Sequence, residues 1–109
     1  MLFRSSGKEL YDMSKDIFYV YILAKARNST FYVGVTSDLV KRVSEHKNNI
    51  NCDFTTKHGV KTLVYYEQYQ SIEQAILREK RLKKWNRVWK MRVIEEMNPD
   101  WKGLYESLF

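Results

Sequence analysis

Ile17-Phe18-Tyr19-Val20-Tyr21-Ile22-Leu23, and after a short gap Phe31-Tyr32-Val33-Gly34-Val35, carry the pattern that sets the architecture of this chain. In the first run Phe18, Val20 and Ile22 fall on one side and Tyr19, Tyr21 and Leu23 on the other, the two-residue alternation of a β-strand. The second run alternates in the same way, and the polar connection from Lys25 to Thr30 makes the pair a hairpin. Matching Phe18, Val20 and Ile22 with Val35, Val33 and Phe31 aligns the apolar positions, whereas a one-residue slip sets apolar against polar along the ladder. This register expects Tyr21 opposite Tyr32 and Tyr19 opposite Gly34, two facing phenols beside a glycine.

Outward from the hairpin, Ser37 or Asp38 can cap a helix running to about Asn49. Leu39, Val43 and Ile50 are expected to face inward, with Arg42 and His46, one turn apart, on a shared flank. Thr62 to Gln68 is rich in β-formers and reads as a third strand. Ser71-Ile72-Glu73-Gln74 is a capping box that starts a helix to about Lys84. Asn86 can cap a further helix that ends before Asn98-Pro99. Trp101, Leu104, Tyr105, Leu108 and Phe109 suggest a short docking helix. The order β-β-α-β-α-α predicts an α+β (mixed α/β) domain, a small three-stranded, mostly antiparallel sheet flanked by helices. The expected organisation is an irregular lead-in over residues 1–15, the domain over 16–98, and a tail over 99–109 that packs on it.

A chain of 109 residues holds one compact domain, and 44% hydrophobic and 15% aromatic content argue for a folded core. The net charge of +6 and the pI near 9.4 favour an anionic partner, nucleic acid before an acidic protein or a membrane. No run of 18 apolar residues exists, so no membrane span is expected. The polar first 16 residues carry no signal-type apolar core, and the single Cys52 suits a reducing compartment, so a cytoplasmic location is expected. One cysteine and two histidines are too few for a structural zinc site.

Glu79 is the one carboxylate among eight Lys/Arg between Arg78 and Arg92. On a helical wheel it falls within the stripe formed by Ile72, Ala75, Ile76 and Leu82. A carboxylate on a core-facing stripe requires a cationic partner or a metal ion. A carboxylate oxygen is a hard ligand suited to Mg²⁺ or Mn²⁺. The dense basic stretch, interleaved with Trp85 and Trp89, reads as a phosphate-binding surface through Lys80, Lys83, Lys84 and Arg87. Lys57 is a further candidate from the loop before the third strand.

Tyr19-Val20-Tyr21, Tyr32-Val33-Gly34, Arg42 ten positions after Tyr32, His46 one turn on, and Ala75-x-x-x-Glu79 together resemble the GIY-YIG nuclease superfamily, and its small bacterial members in particular. The first tripeptide departs from the pattern, since Tyr19 stands where the family has glycine. The resemblance implies a divalent-metal-dependent DNA endonuclease, a hydrolase of phosphodiester bonds by water attack, in repair or recombination. It implies a catalytic set of Tyr21, Tyr32, Arg42, His46 and Glu79, with Glu79 holding one Mg²⁺ or Mn²⁺. Tyr32 would act as base or orient the water, with Tyr21 as its partner, and Arg42 would hold the phosphate. DNA is the implied partner. Family members with defined targets carry extra DNA-reading domains, so a protein partner supplying target specificity is a further expectation. The alternative is a nucleic-acid-binding module with weak or lost catalysis.

Overall fold

The computed structural model describes residues 17–25, 30–48, 50 and 59–109. Strands β1 (Phe18–Ala24) and β2 (Phe31–Thr36) precede helix α1 (Leu39–Lys47). Strand β3 (Thr62–Tyr69), helices α2 (Ile72–Lys84) and α3 (Arg87–Met97), and a 3₁₀ turn over Tyr105–Leu108 follow. The sheet order is β2-β1-β3 with both pairings antiparallel, so the β-β-α-β-α-α order and the α+β class expected from sequence hold. The lead-in over 1–15, Cys52 and Lys57 lie outside the described residues.

The hairpin register differs from the expected one by two residues. Tyr21 lies opposite Gly34, Tyr19 opposite Thr36 and Leu23 opposite Tyr32. A slip of two keeps every side chain on its own face, so apolar patterning cannot distinguish the two alignments. The close approach at Gly34 can. A Cβ there would lie 2.5 Å from the Tyr21 hydroxyl oxygen and 2.6 Å from the ring carbon that bears it. Only glycine leaves room for the Tyr21 ring to lie across β2.

The two sheet faces carry separate cores. Val20, Ile22, Ala24 and Val33 pack with Val64, Tyr65, Ala75, Leu82 and Ile94, beneath α2 and α3. Tyr21, Leu23, Leu39, Val43, Val60 and Leu63 form the other cluster, beneath α1 and the 3₁₀ turn. Each cap is supplied by the sequence. The Asp38 side chain accepts from the Lys41 N–H, Ser71 from Gln74 and Asn86 from Trp89. Each such cap is worth about 1 kcal/mol.

Ile50, expected to face inward, is 49% exposed, because α1 ends at Lys47 before its stripe reaches that far. Tyr105–Leu108 form a 3₁₀ turn, and Leu104, Tyr105 and Leu108 lie partly buried against the cluster beneath α1. Val64 is the extra residue of a bulge in β3, and Asn98 Nδ2 donates to its carbonyl at 3.1 Å. The Leu104 N–H donates to the Leu63 carbonyl at 2.8 Å, and Trp101 stacks on Phe31 with ring centroids 5.8 Å apart.

Candidate active site

β1 and β2 place Tyr21 and Tyr32 on the face covered by α1. As diagonal neighbours in the observed register, the two rings meet with centroids 6.2 Å apart. α1 brings His46 beneath both, its ring 5.9 Å from Tyr21 and 5.1 Å from Tyr32. The Tyr21 hydroxyl and His46 Nε2 are hydrogen-bonded at 3.1 Å. Both groups are 1% exposed, whereas Tyr32 is half-buried and reaches the surface. Tyr32 is thus the accessible phenol and Tyr21 the inner one.

Burial holds the His46 imidazole down to about 4, with the Arg42 guanidinium adding to the shift and the Glu45 carboxylate opposing it. His46 is therefore neutral at physiological pH. Arg42, one turn earlier on the same helix, is half-buried and donates from Nη1 to Glu45 Oε1 at 2.9 Å. Four of the sequence-predicted residues, Tyr21, Tyr32, Arg42 and His46, are thus brought to one face of the sheet. Glu45 was not among the expected residues, although its position three after Arg42 was the available signal.

Glu79 has a different setting from the one expected. Ile72 and Ile76 are 40% and 37% exposed, so the buried stripe of α2 is Ala75 and Leu82. At 100° per residue, Arg78 and Glu79 flank that stripe at about 50° on either side. Arg78 turns to β3, which leaves Glu79 on the flank toward the edge strand β2. Its side chain is only 14% exposed, and Oε2 pairs with Lys83 Nζ at 2.7 Å. The acid is therefore on the flank of its helix and not in the middle of an apolar stripe. α2 covers the sheet face opposite α1, so Glu79 and the tyrosine pair approach the β2 edge from opposite faces.

No group of three or more His, Cys, Asp or Glu side chains among the described residues is arranged to hold a metal ion. A single carboxylate still fits Mg²⁺ or Mn²⁺, because Mg²⁺ keeps several waters and is usually held by one or two carboxylates together with substrate phosphate. Glu79, largely buried and already facing a cation, meets that requirement.

A second polar cluster escaped the sequence reading. Glu67 accepts from Arg78 Nη2 at 2.9 Å and from its Nε at 3.0 Å, from the Tyr69 hydroxyl at 2.6 Å, and from the Tyr65 hydroxyl. Burial alone would raise the Glu67 carboxyl, but these hydrogen bonds outweigh it and hold the group below its ordinary value. Burial and the neighbouring carboxylate push Tyr69 up to about 12 and Tyr65 higher still. The signal was present: Tyr65, Glu67 and Tyr69 alternate along one strand face. This cluster anchors α2 to β3.

Among the expected phosphate contacts, Lys80, Lys84 and Arg87 are exposed. Lys83 is half exposed but engaged by Glu79, and the Arg87 guanidinium lies 5.2 Å from the centre of the Phe31 ring. Among the described residues no helix is long and apolar enough to cross a membrane.

Comparison with known proteins gives a consistent result. The family model of the GIY-YIG catalytic domain matches residues 17–93. A UPF0213 protein of Clostridium perfringens is 37% identical over 76 residues, 70% of this chain and 81% of that protein. One from Bacillus pumilus is 32% identical over 94 residues, 86% and 95% of the two chains. The solution NMR structure of a UPF0213 protein from Bacillus halodurans superposes with a TM-score of 0.51 at 25% identity, covering 80% of this chain and 92% of that one. The α+β fold, the tyrosine hairpin and these matches together mean that the chain belongs to the GIY-YIG family, a family of nuclease type, among its small bacterial UPF0213 members.

Proposed function

We propose that this protein is a divalent-metal-dependent DNA endonuclease that hydrolyses phosphodiester bonds by water attack. The observation that carries the reading is the convergence of Tyr21, Tyr32 and His46, with Arg42 one helical turn away, on one sheet face. Arg42 presents a fork of donors to the non-bridging phosphate oxygens, exchanging part of its bond to Glu45 for a ligand whose negative charge grows as the water attacks.

Tyr32, the phenol at the surface, orients the attacking water and, as the phenolate, accepts its proton. Tyr21 and His46 form the buried, hydrogen-bonded pair behind it. Neutral His46 accepts a hydrogen bond from the Tyr21 hydroxyl or donates one to it, according to its tautomer. Glu79 would hold the single Mg²⁺ or Mn²⁺ ion. When bound, the ion neutralises charge developing on the phosphate and leaving oxygen. Lys80, Lys84 and Arg87 supply salt-dependent attraction for the DNA backbone, in a repair or recombination setting.

A second reading, a DNA-binding module with weak or lost catalysis, is favoured by one observation. Glu79 rides on the helix covering the opposite sheet face and is tied to Lys83. Supercoiled plasmid and branched duplexes incubated with Mg²⁺ or Mn²⁺ separate the two readings. The nuclease reading expects nicking that is lost in Arg42→Ala and Glu79→Ala. Retarded but uncut DNA, bound equally by wild type and Glu79→Ala, would support the binding module.

A further inference from the structure

The corner between α2 and α3 carries a feature that the hydrolytic site does not use. Arg78, Arg81 and Trp85 form a stripe at helical spacing along the end of α2. Trp89, Arg92, Val93 and Glu96 form a second stripe along α3. Where the stripes meet, a groove of about 330 Å³ is lined by Arg78, Trp85, Trp89, Arg92, Val93 and Glu96. That volume is at the low end of those that hold small ligands.

The rings in this groove are not equivalent. Trp85 is half-buried against the core, its ring covered by the Arg78 guanidinium 4.9 Å from its centre. Trp89 meets Trp85 edge to face, with centroids 5.7 Å apart and planes at 87°, and is 51% exposed. Arg78 is held by its two-pronged bond to Glu67, so the wall of the groove is fixed before any ligand arrives. A single exposed tryptophan is ordinary on a protein surface. An exposed tryptophan over a rigid arginine–indole wall, within a stretch of eight Lys/Arg and one carboxylate, offers a flat apolar face amid cationic charge.

Resting on the reading of the chain as a DNA-acting protein, we propose that this groove is a base-stacking subsite for single-stranded DNA adjoining the duplex that is cut. Trp89 is the stacking platform, and Arg81 and Arg92 draw in the phosphates on either side. Stacking on an aromatic ring tolerates any base, since every base has a π-face, and the charge complementarity favours a nucleotide over a neutral apolar ligand. Paired bases inside a duplex cannot reach Trp89, so the subsite favours flaps, forks or frayed ends. Glu96, an acceptor-only carboxylate on the rim, repels phosphate and sends the backbone past the arginine side.

The test is binding without divalent metal, in EDTA, so that it is read independently of cutting. The probes are a fluorescent oligothymidine of about ten nucleotides, within the usual single-strand site size, and a duplex of equal length. Trp89→Ala is expected to weaken oligothymidine binding by about 5- to 50-fold while changing duplex binding less than about two-fold, with Trp89→Phe restoring most of the loss. Should the alanine variant fold poorly by circular dichroism, Trp89→Met gives the same comparison, keeping apolar bulk but no ring. Unchanged oligothymidine binding in these variants, or an equal loss for single strand and duplex, overturns the subsite. Either result leaves the plasmid-nicking test of the nuclease reading untouched.

Discussion

Gly34→Ala is a direct probe of the observed hairpin register. Its Cβ would lie 2.5 Å from the Tyr21 hydroxyl oxygen, where ordinary contact begins at 3.4 Å, so the ring must retreat by about 0.9 Å. Tyr21 is 1% exposed and hydrogen-bonded to His46, so there is no solvent to retreat into. Overpacking of this kind costs about 1–3 kcal/mol, and a lost hydrogen bond adds about 1 kcal/mol. The reduced freedom of the unfolded chain returns about 0.5–1 kcal/mol. The net expectation is a loss near 2 kcal/mol, or a fall of roughly 8–15 °C in Tm for a domain of this size. Thermal and urea unfolding measure it. A double-mutant cycle assigns it: in a Tyr21→Leu background the cost of Gly34→Ala should shrink by at least about 1 kcal/mol. The register expected from patterning puts Tyr19 opposite Gly34 instead, and predicts coupling to Tyr19. A Gly34→Ala protein as stable as wild type, or one coupled to Tyr19 and not Tyr21, would mean that Tyr21 does not lie across Gly34.

His46 makes stability pH-dependent. The unfolded chain takes up a proton near 6.5 and the folded chain only near 4, so stability falls as pH drops through that window, by about 3 kcal/mol in total. Urea unfolding at pH 7.5, 5.5 and 4.5 should show this slope flattened in His46→Gln, and equal slopes would contradict it. Glu67→Gln leaves Arg78 without its carboxylate and both phenols with a poorer acceptor, and should cost about 2–3 kcal/mol by the same unfolding assay. A change under about 0.5 kcal/mol would remove its anchoring role. Lys83 competes with any cation for Glu79, so Lys83→Met should tighten Mn²⁺ binding by about two- to five-fold in calorimetry, the scale of a surface ion pair. Weaker or unchanged affinity would mean that Mn²⁺ does not bind at Glu79.

What was legible in the sequence was what periodicity encodes. The alternation from Phe18 to Leu23 and from Phe31 to Val35 located the strands, and Ser37 or Asp38, Ser71 and Asn86 marked the helix starts, where the side chains of Asp38, Ser71 and Asn86 form the caps. The hairpin pairing was not legible, because a two-residue slip conserves the faces, and only the bulk of Tyr21 above Gly34 selects among such registers. The helix wheel also misled for Ile72 and Ile76. An apolar residue need not be buried where its helix flank looks out past a sheet edge. Glu67 was overlooked because the polar pair it forms with Arg78 joins residues eleven apart on different elements, which no local pattern links. Asn98 was legible as a helix end beside Pro99. Its bond to the Val64 carbonyl at the β3 bulge depends on tertiary packing.

In the proposed reaction the phenols, Arg42 and Glu79 act on a single phosphate around the β2 edge. The decisive experiment is a crystal of the Tyr32→Phe protein with a short DNA and Mn²⁺, read by anomalous scattering. One strong peak is expected on the Glu79 carboxylate, with Lys83 displaced and the same metal touching a phosphate whose other oxygens Arg42 holds. A peak at Glu79 with the phosphate remote from it on the α1 face, or no peak there at all, would separate Glu79 from the chemistry of the tyrosine face.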